Sequence, residues 1–266
     1  PVDQRTVTRR YTQKSIDFIK ANKGKPFFVY LPHSMPHIPL YVPDEIRDPN
    51  PKNAYINTIE HIDSEVGRLL KTLDDLKLVD NTYVIYTTDN GPWLQFRHHG
   101  GSAGLLREGK GTTFEGGQRV PCVMRGPGIP VGTVCDELTG TIDILPTIAS
   151  LTGKALPKGK KIDGMDVSGL WKGTIKKSPR KEFLHYTSRG DIEGLRSGNW
   201  KLLVKRARRN NNNRPPQLHL FDLSKDVGEK NNLAQAKPEV VKELHVRMKA
   251  LDAEITKNAR KPWFKN

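Results

Sequence analysis

Apolar positions recur every three or four residues at Ile56, Ile59, Ile62, Val66, Leu69, Leu70, Leu73 and Leu76. That spacing predicts one long amphipathic helix, with Glu60, Asp63, Glu65 and Arg68 on its polar face. A shorter helix is predicted over residues 4–22, where Val7, Tyr11, Phe18 and Ile19 share a side and Asn22-Lys23-Gly24 terminates it. Two other runs, Pro26–Leu31 and Tyr83–Thr87, are apolar at nearly every position, the pattern of strands covered on both faces of a parallel sheet. The first run empties into a segment where Pro32, Pro36 and Pro39 forbid regular structure and hold His33 and His37 on a stiff loop. Strand, long helix, short polar turn and second strand together predict a crossover unit and an α/β fold.

Further on, Arg119–Met124 reads as another strand, and Asp143–Gly153 as a helix with Pro146 in its first turn and Gly153 at its end. Residues 154–180 are rich in Lys, Gly and Pro and read as a connection. Beyond them the pattern shifts to short strands at 183–187, 194–197, 200–204 and 217–222, followed by a helix over 238–258. The expected organisation is therefore an α/β part over residues 1–180 and a small antiparallel α+β module over 181–266.

The Tyr83–Thr87 run leads directly into Asp89-Asn90-Gly91. Strand ends line the crevices of open α/β sheets, and two oxygen donors there suit Ca2+ or Mg2+ better than zinc or copper. The same tripeptide could merely form a turn. Lys110, between Gly109 and Gly111, is a glycine-flanked and mobile cation with Thr112, Thr113 and Glu115 as local hydrogen-bond partners. Beside a divalent ion it would need a shared anionic ligand, which makes it a candidate anion clamp. His33 and His37 are candidates for a leaving-group acid or an anion ligand, and His98 could also line the pocket.

The formal net charge is +15, and residues 181–266 carry +9 of it, concentrated in the Lys201–Arg214 stretch. Either a solvated hairpin tip or a polyanion-binding surface fits that stretch. Cys122 and Cys135 are too few for a disulfide framework or zinc cluster; they could pair or could both be buried thiols. No apolar run is long enough to span a bilayer, and any leader peptide would precede Pro1.

Several blocks in order resemble the type I sulfatases, the arylsulfatase family of the alkaline phosphatase superfamily. They are Lys25–Leu31 with Pro36–Pro39; Ile62-Asp63 and Val66-Gly67; Thr88–Gly91; Gly104–Gly117 with Arg119–Pro121; Asp143–Thr147; and Leu220–Leu223 with Asp226 and Asn232–Ala234. The resemblance implies an incomplete alkaline phosphatase-like fold, a largely parallel sheet sandwiched by helices, with the antiparallel module appended. It implies that Asp89 and Asn90 are ligands of an active-site Ca2+ or Mg2+. By the same likeness Lys110 binds the sulfate oxygens, and His37 contacts the ester and helps the leaving group depart. The substrate would be an aryl sulfate or a sulfated polysaccharide, with no nucleic-acid partner, and secretion or a periplasmic location would follow family habit.

Sulfatases use a formylglycine, made from the cysteine or serine of a Cys/Ser-x-Pro-x-Arg motif, as nucleophile. That motif does not occur in this sequence, so the expected source is a portion that would precede Pro1. Two metal ligands are also too few for tight binding, and the chain alone is expected to be inactive. Two alternatives share these residues: a phosphomonoester or phosphonate hydrolase of the same superfamily, and a non-enzymatic polyanion-binding module.

Overall fold

A computed structural model describes residues 2–159, 161–206 and 215–260. The chain forms two compact units, one of Pro1–Ser102 with Pro121–Pro127 and one of Ala103–Val120 with Gly128–Asn266. Part of the basic stretch, residues 207–214, lies outside the described residues.

In the first unit, helix α1 (Val7–Asn22) packs against helix α2 (Ala54–Asp75), as their apolar periodicity requires. Ile16 and Ile19 of α1 and Ile62 and Leu73 of α2 are buried, each worth about 1.5–3 kcal/mol of transfer free energy. Strands β1 (Val84–Thr87) and β2 (Cys122–Arg125) pair antiparallel, with Val84 opposite Arg125 and Thr87 opposite Cys122. The second strand begins after Pro121, which has no N–H to give to a ladder, rather than at Arg119.

The predicted strand Pro26–Leu31 forms no ladder among the described residues, and the parallel pairing expected from it is absent there too. Its residues alternate between half-buried and exposed, with Phe28 70% and Tyr30 79% exposed. The run specifies apolar side chains at successive positions. A ladder also needs a neighbouring strand, which a local pattern does not supply.

The second unit centres on a four-stranded antiparallel sheet in sequence order: β3 (Glu182–Tyr186), β4 (Ile192–Ser197), β5 (Trp200–Lys205) and β6 (Gln217–Asp222). Side chains alternate across a strand, so β5 divides its residues between two layers. Leu202 and Val204 join Leu195 and Leu220 under helix α6 (Pro238–Asn258), which contributes Val241, Leu244 and Met248. Leu203 instead joins Phe221 and Phe114, the last from the segment that carries Lys110. That segment continues into the single-turn helix α3 (Glu115–Gln118).

The predicted helix after Asp143 is α4 (Ile144–Leu151). Asp143 is buried, accepts bonds from the N–H groups of Gly140 and Met165 at 2.8 Å each, and faces the buried Arg180, whose Nε lies 2.8 Å away. The connection between them includes a short helix, α5 (Ser168–Trp171), anchored by buried Val167, Leu170 and Trp171. Cys122 and Cys135 are free and exposed, neither a pair nor buried thiols. Among the described residues no helix is long and apolar enough to cross a membrane.

Candidate active site

In the first unit the chain leaves β1 through Thr88 and presents Asp89 exposed and Asn90 half-buried. The Thr87 hydroxyl donates to the Pro121 carbonyl at 2.9 Å, fastening the strand tip to the neighbouring chain. Thr88 Oγ1 is only loosely placed, 3.4 Å from Asp89 Oδ1 and 3.5 Å from the Asn90 carbonyl. The donors are hard oxygens and fit a Ca2+ or Mg2+ ion. Among the described residues no group of three or more His, Cys, Asp or Glu could hold a metal, so the pair could form only part of a coordination shell.

The His37 loop turns through a bond from its N–H to the Ser34 carbonyl at 3.2 Å. Its Nδ1 lies 2.7 Å from the Ile38 carbonyl. A carbonyl only accepts, so Nδ1 carries a hydrogen and Nε2 is the ring nitrogen outside that bond. The ring packs on Trp93 with centroids 5.5 Å apart, and Trp93 stands edge-on to Phe96 at 4.7 Å. Trp93 follows Asn90 by three residues, so the structure brings the His37 loop against the segment issuing from the strand tip.

His33 has a different setting. Its Nδ1 is buried without a hydrogen-bond partner, and burial, only partly opposed by Glu65, depresses its pKa from the ordinary 6.5. His98 is exposed and meets His99 edge-on at 4.7 Å, while His99 Nε2 lies 2.7 Å from the Pro51 carbonyl.

Lys110 belongs to the second unit, half-buried on a tightly folded loop. The Gly109 carbonyl accepts from Thr112 N at 3.2 Å and from its hydroxyl at 2.9 Å, and the Thr112 carbonyl accepts from Gln118 Nε2 at 2.8 Å. Glycine is required where this turn meets α3: a Cβ on Gly117 would lie 2.3 Å from the Thr112 carbonyl oxygen and 2.6 Å from that of Gly109. Thr113 bonds Glu193, and Glu115 faces Lys201 with its Oε1 2.8 Å from Nζ. The expected mobile cation is thus carried on an anchored turn, with Thr113 and Glu115 engaged to the sheet.

The Sulfatase family profile matches residues 3–154. The chain belongs to the sulfatase family. It is 35% identical to human arylsulfatase A over 259 residues, covering 88% of this chain and 51% of that protein. One similar solved structure comes from a study of glycosaminoglycan metabolism by Bacteroides thetaiotaomicron; it is 26% identical with a TM-score of 0.85 over 95% of this chain and 55% of that one. Another is Ps i-CgsB in complex with k-i-k-neocarrahexaose, 26% identical with a TM-score of 0.79 over 97% of this chain and 57% of that one. This sulfatase chain spans about half the length of the curated arylsulfatase A relatives it matches. Its fold class is that of its structural neighbours, the α/β fold of sulfatases with a small antiparallel module and C-terminal helix appended.

Three residues of the sulfatase chain escaped sequence reasoning: Lys201, Glu229 and Arg107. Lys201 is fully buried on β5, and its ammonium lies between Glu115 Oε1 at 2.8 Å and Glu229 Oε1 at 3.1 Å. A lysine inside the apolar run Trp200–Val204 was the available signal. Glu229 adopts φ +52°, a left-handed conformation costing a side-chain-bearing residue about 1–3 kcal/mol. Burial raises its carboxyl pKa, with Lys201 opposing the rise.

Proposed function

We propose that this chain is the C-terminal part of a sulfuric-ester hydrolase, with Asp89 and Asn90 among the ligands of a Ca2+ or Mg2+ ion. The ion would polarise the sulfate oxygens and neutralise charge on them. Lys110 binds those oxygens and stabilises charge as the ester breaks, and His37 presents Nε2 to the leaving group. For His37 to act as an acid, Nε2 must also be protonated, since Nδ1 already spends its hydrogen on Ile38. The packing of His37 on Trp93, close in sequence to Asp89 and Asn90, is the observation that carries this reading.

The nucleophile is a formylglycine supplied from outside this sequence, and the whole enzyme is exported. The net charge of +15 favours a sulfated polysaccharide over a small aryl sulfate as natural substrate. The test compares sulfate and phosphate monoesters of one chromogenic phenol, using this chain alone and the complete formylglycine-bearing enzyme. Turnover of the sulfate only by the complete enzyme is expected. Faster phosphate hydrolysis would establish the phosphatase alternative, and turnover by the chain alone would refute the division of labour.

A further inference from the structure

We infer that Glu229 is a positioning residue that clasps both ends of the Lys110 loop, a role that rests on the reading of Lys110 above. At the loop's start, Arg107 Nη1 donates to the Glu229 carbonyl at 2.8 Å. At its end, Glu115 N donates to the Glu229 carboxylate at 2.7 Å. One residue therefore holds the two ends of the Arg107–Glu115 segment through its backbone and its side chain together. The ends also meet each other, because Gly116 N donates to the Arg107 carbonyl at 2.8 Å.

The charges beneath the loop explain why a carboxylate can do this while buried. Lys201 lies within ion-pair distance of both Glu229 and Glu115, and Arg196 Nη1 lies 3.7 Å from Glu115 Oε2. Two anions and two cations thus share one enclosed cluster. Phe114, next to Glu115 at the loop's C-terminal end, is held by Arg107 4.1 Å from its centroid and Lys205 at 4.5 Å. A left-handed backbone at position 229 would be easiest for glycine. A glutamate there supplies the carboxylate that glycine would lack, while its N–H closes its own turn on the Asp226 carbonyl at 3.1 Å.

The test uses the complete enzyme carrying Glu229→Gly, Glu229→Gln or Lys110→Ala. Glycine relieves the left-handed backbone and leaves Lys201 paired with Glu115, so loosening of the loop is separated from unfolding. Expected for Glu229→Gly is about tenfold or faster amide exchange in residues 108–117, with β5 and β6 protection retained. Sulfate ester kcat should fall about tenfold or more with a smaller change in KM, as for a misplaced charge-stabilising group. Glu229→Gln keeps an acceptor for Glu115 N and should restore much of both readouts. Unchanged loop exchange in Glu229→Gly would overturn the clasp, and a loosened loop with full kcat would overturn its positioning role. Full turnover by Lys110→Ala would instead remove the reading of Lys110, while loop exchange would still judge the clasp on its own.

Discussion

Replacing Lys201 with methionine keeps the side chain's length and apolar stem but removes the one ammonium that two enclosed carboxylates share. Glu115 and Glu229 are 2% and 0% exposed, so neither can regain water without movement of the sheet or the loop. Breaking a buried pair by deleting one partner costs about 3–5 kcal/mol. The upper half of that range is expected, because Glu229 loses its cation and only Glu115 keeps a second one, Arg196 at 3.7 Å. Tenfold in an equilibrium is about 1.4 kcal/mol, so amides of β5 and β6 that exchange through opening of this unit should exchange roughly several hundred to a few thousand times faster. Exchange is the suitable assay because the chain has two compact units, and one unfolding curve would average them. The variant-to-parent ratio should be largest near pH 8 and shrink towards pH 4, as protonation removes the uncompensated charge. Adding Glu115→Gln and Glu229→Gln to Lys201→Met should recover most of the loss. A loss below about 1 kcal/mol, or a ratio indifferent to pH, would refute the assignment of this cluster as a coupled ion group.

His185 is buried with neither ring nitrogen bonded, and burial, then Lys201 and Arg196, push its pKa well below the ordinary 6.5. The unfolded chain takes up a proton that the folded one refuses, so stability should fall as pH drops below about 6.5, by up to about 1.4 kcal/mol per unit. Denaturant titrations of His185→Phe should show a flatter acid limb, and an unchanged limb would contradict this origin. At Asp143, burial alone would raise the pKa, but Arg180 and the N–H groups of Met165 and Gly140 together lower it. Its contribution is present above the ordinary 3.8 and is lost as pH falls through the depressed value. Asp143→Ala, which leaves buried Arg180 unpaired, should cost about 3–5 kcal/mol in equilibrium unfolding at pH 7, and a loss under about 1 would count against the pair. Asp89→Ala in the complete enzyme should weaken Ca2+ or Mg2+ binding, measured by calorimetry, by at least about tenfold; unaltered affinity would exclude Asp89 as a ligand.

Elements with strong internal periodicity were legible in the sequence. Helix α2 occupies the residues that its spacing marked, because an apolar stripe needs only something to cover it, and helix α6 falls on the expected residues 238–258. The four short strands of the second unit were also readable, within a residue or two at their ends. Pro26–Leu31 was misread because an apolar run does not name its partner, and the antiparallel direction of β1 and β2 was equally non-local. At the candidate site, Asp89, Asn90, His37 and Lys110 carried local signals: a strand tip, a proline-stiffened loop and flanking glycines. Glu229 carried none, since it meets Glu115 across 114 positions and occupies a backbone conformation that a sequence reader assigns to glycine.

Strand β5 gives the second unit two independent handles. Leu202 and Val204 belong to the helix-covered side, whereas Lys201, Leu203 and Lys205 reach the loop on the other. An engineer, or natural drift, can therefore retune how the terminal helix seats through alternate positions while leaving the turn that carries Lys110 untouched. Slipping the strand by a single residue would exchange the two sets of tenants and damage both at once.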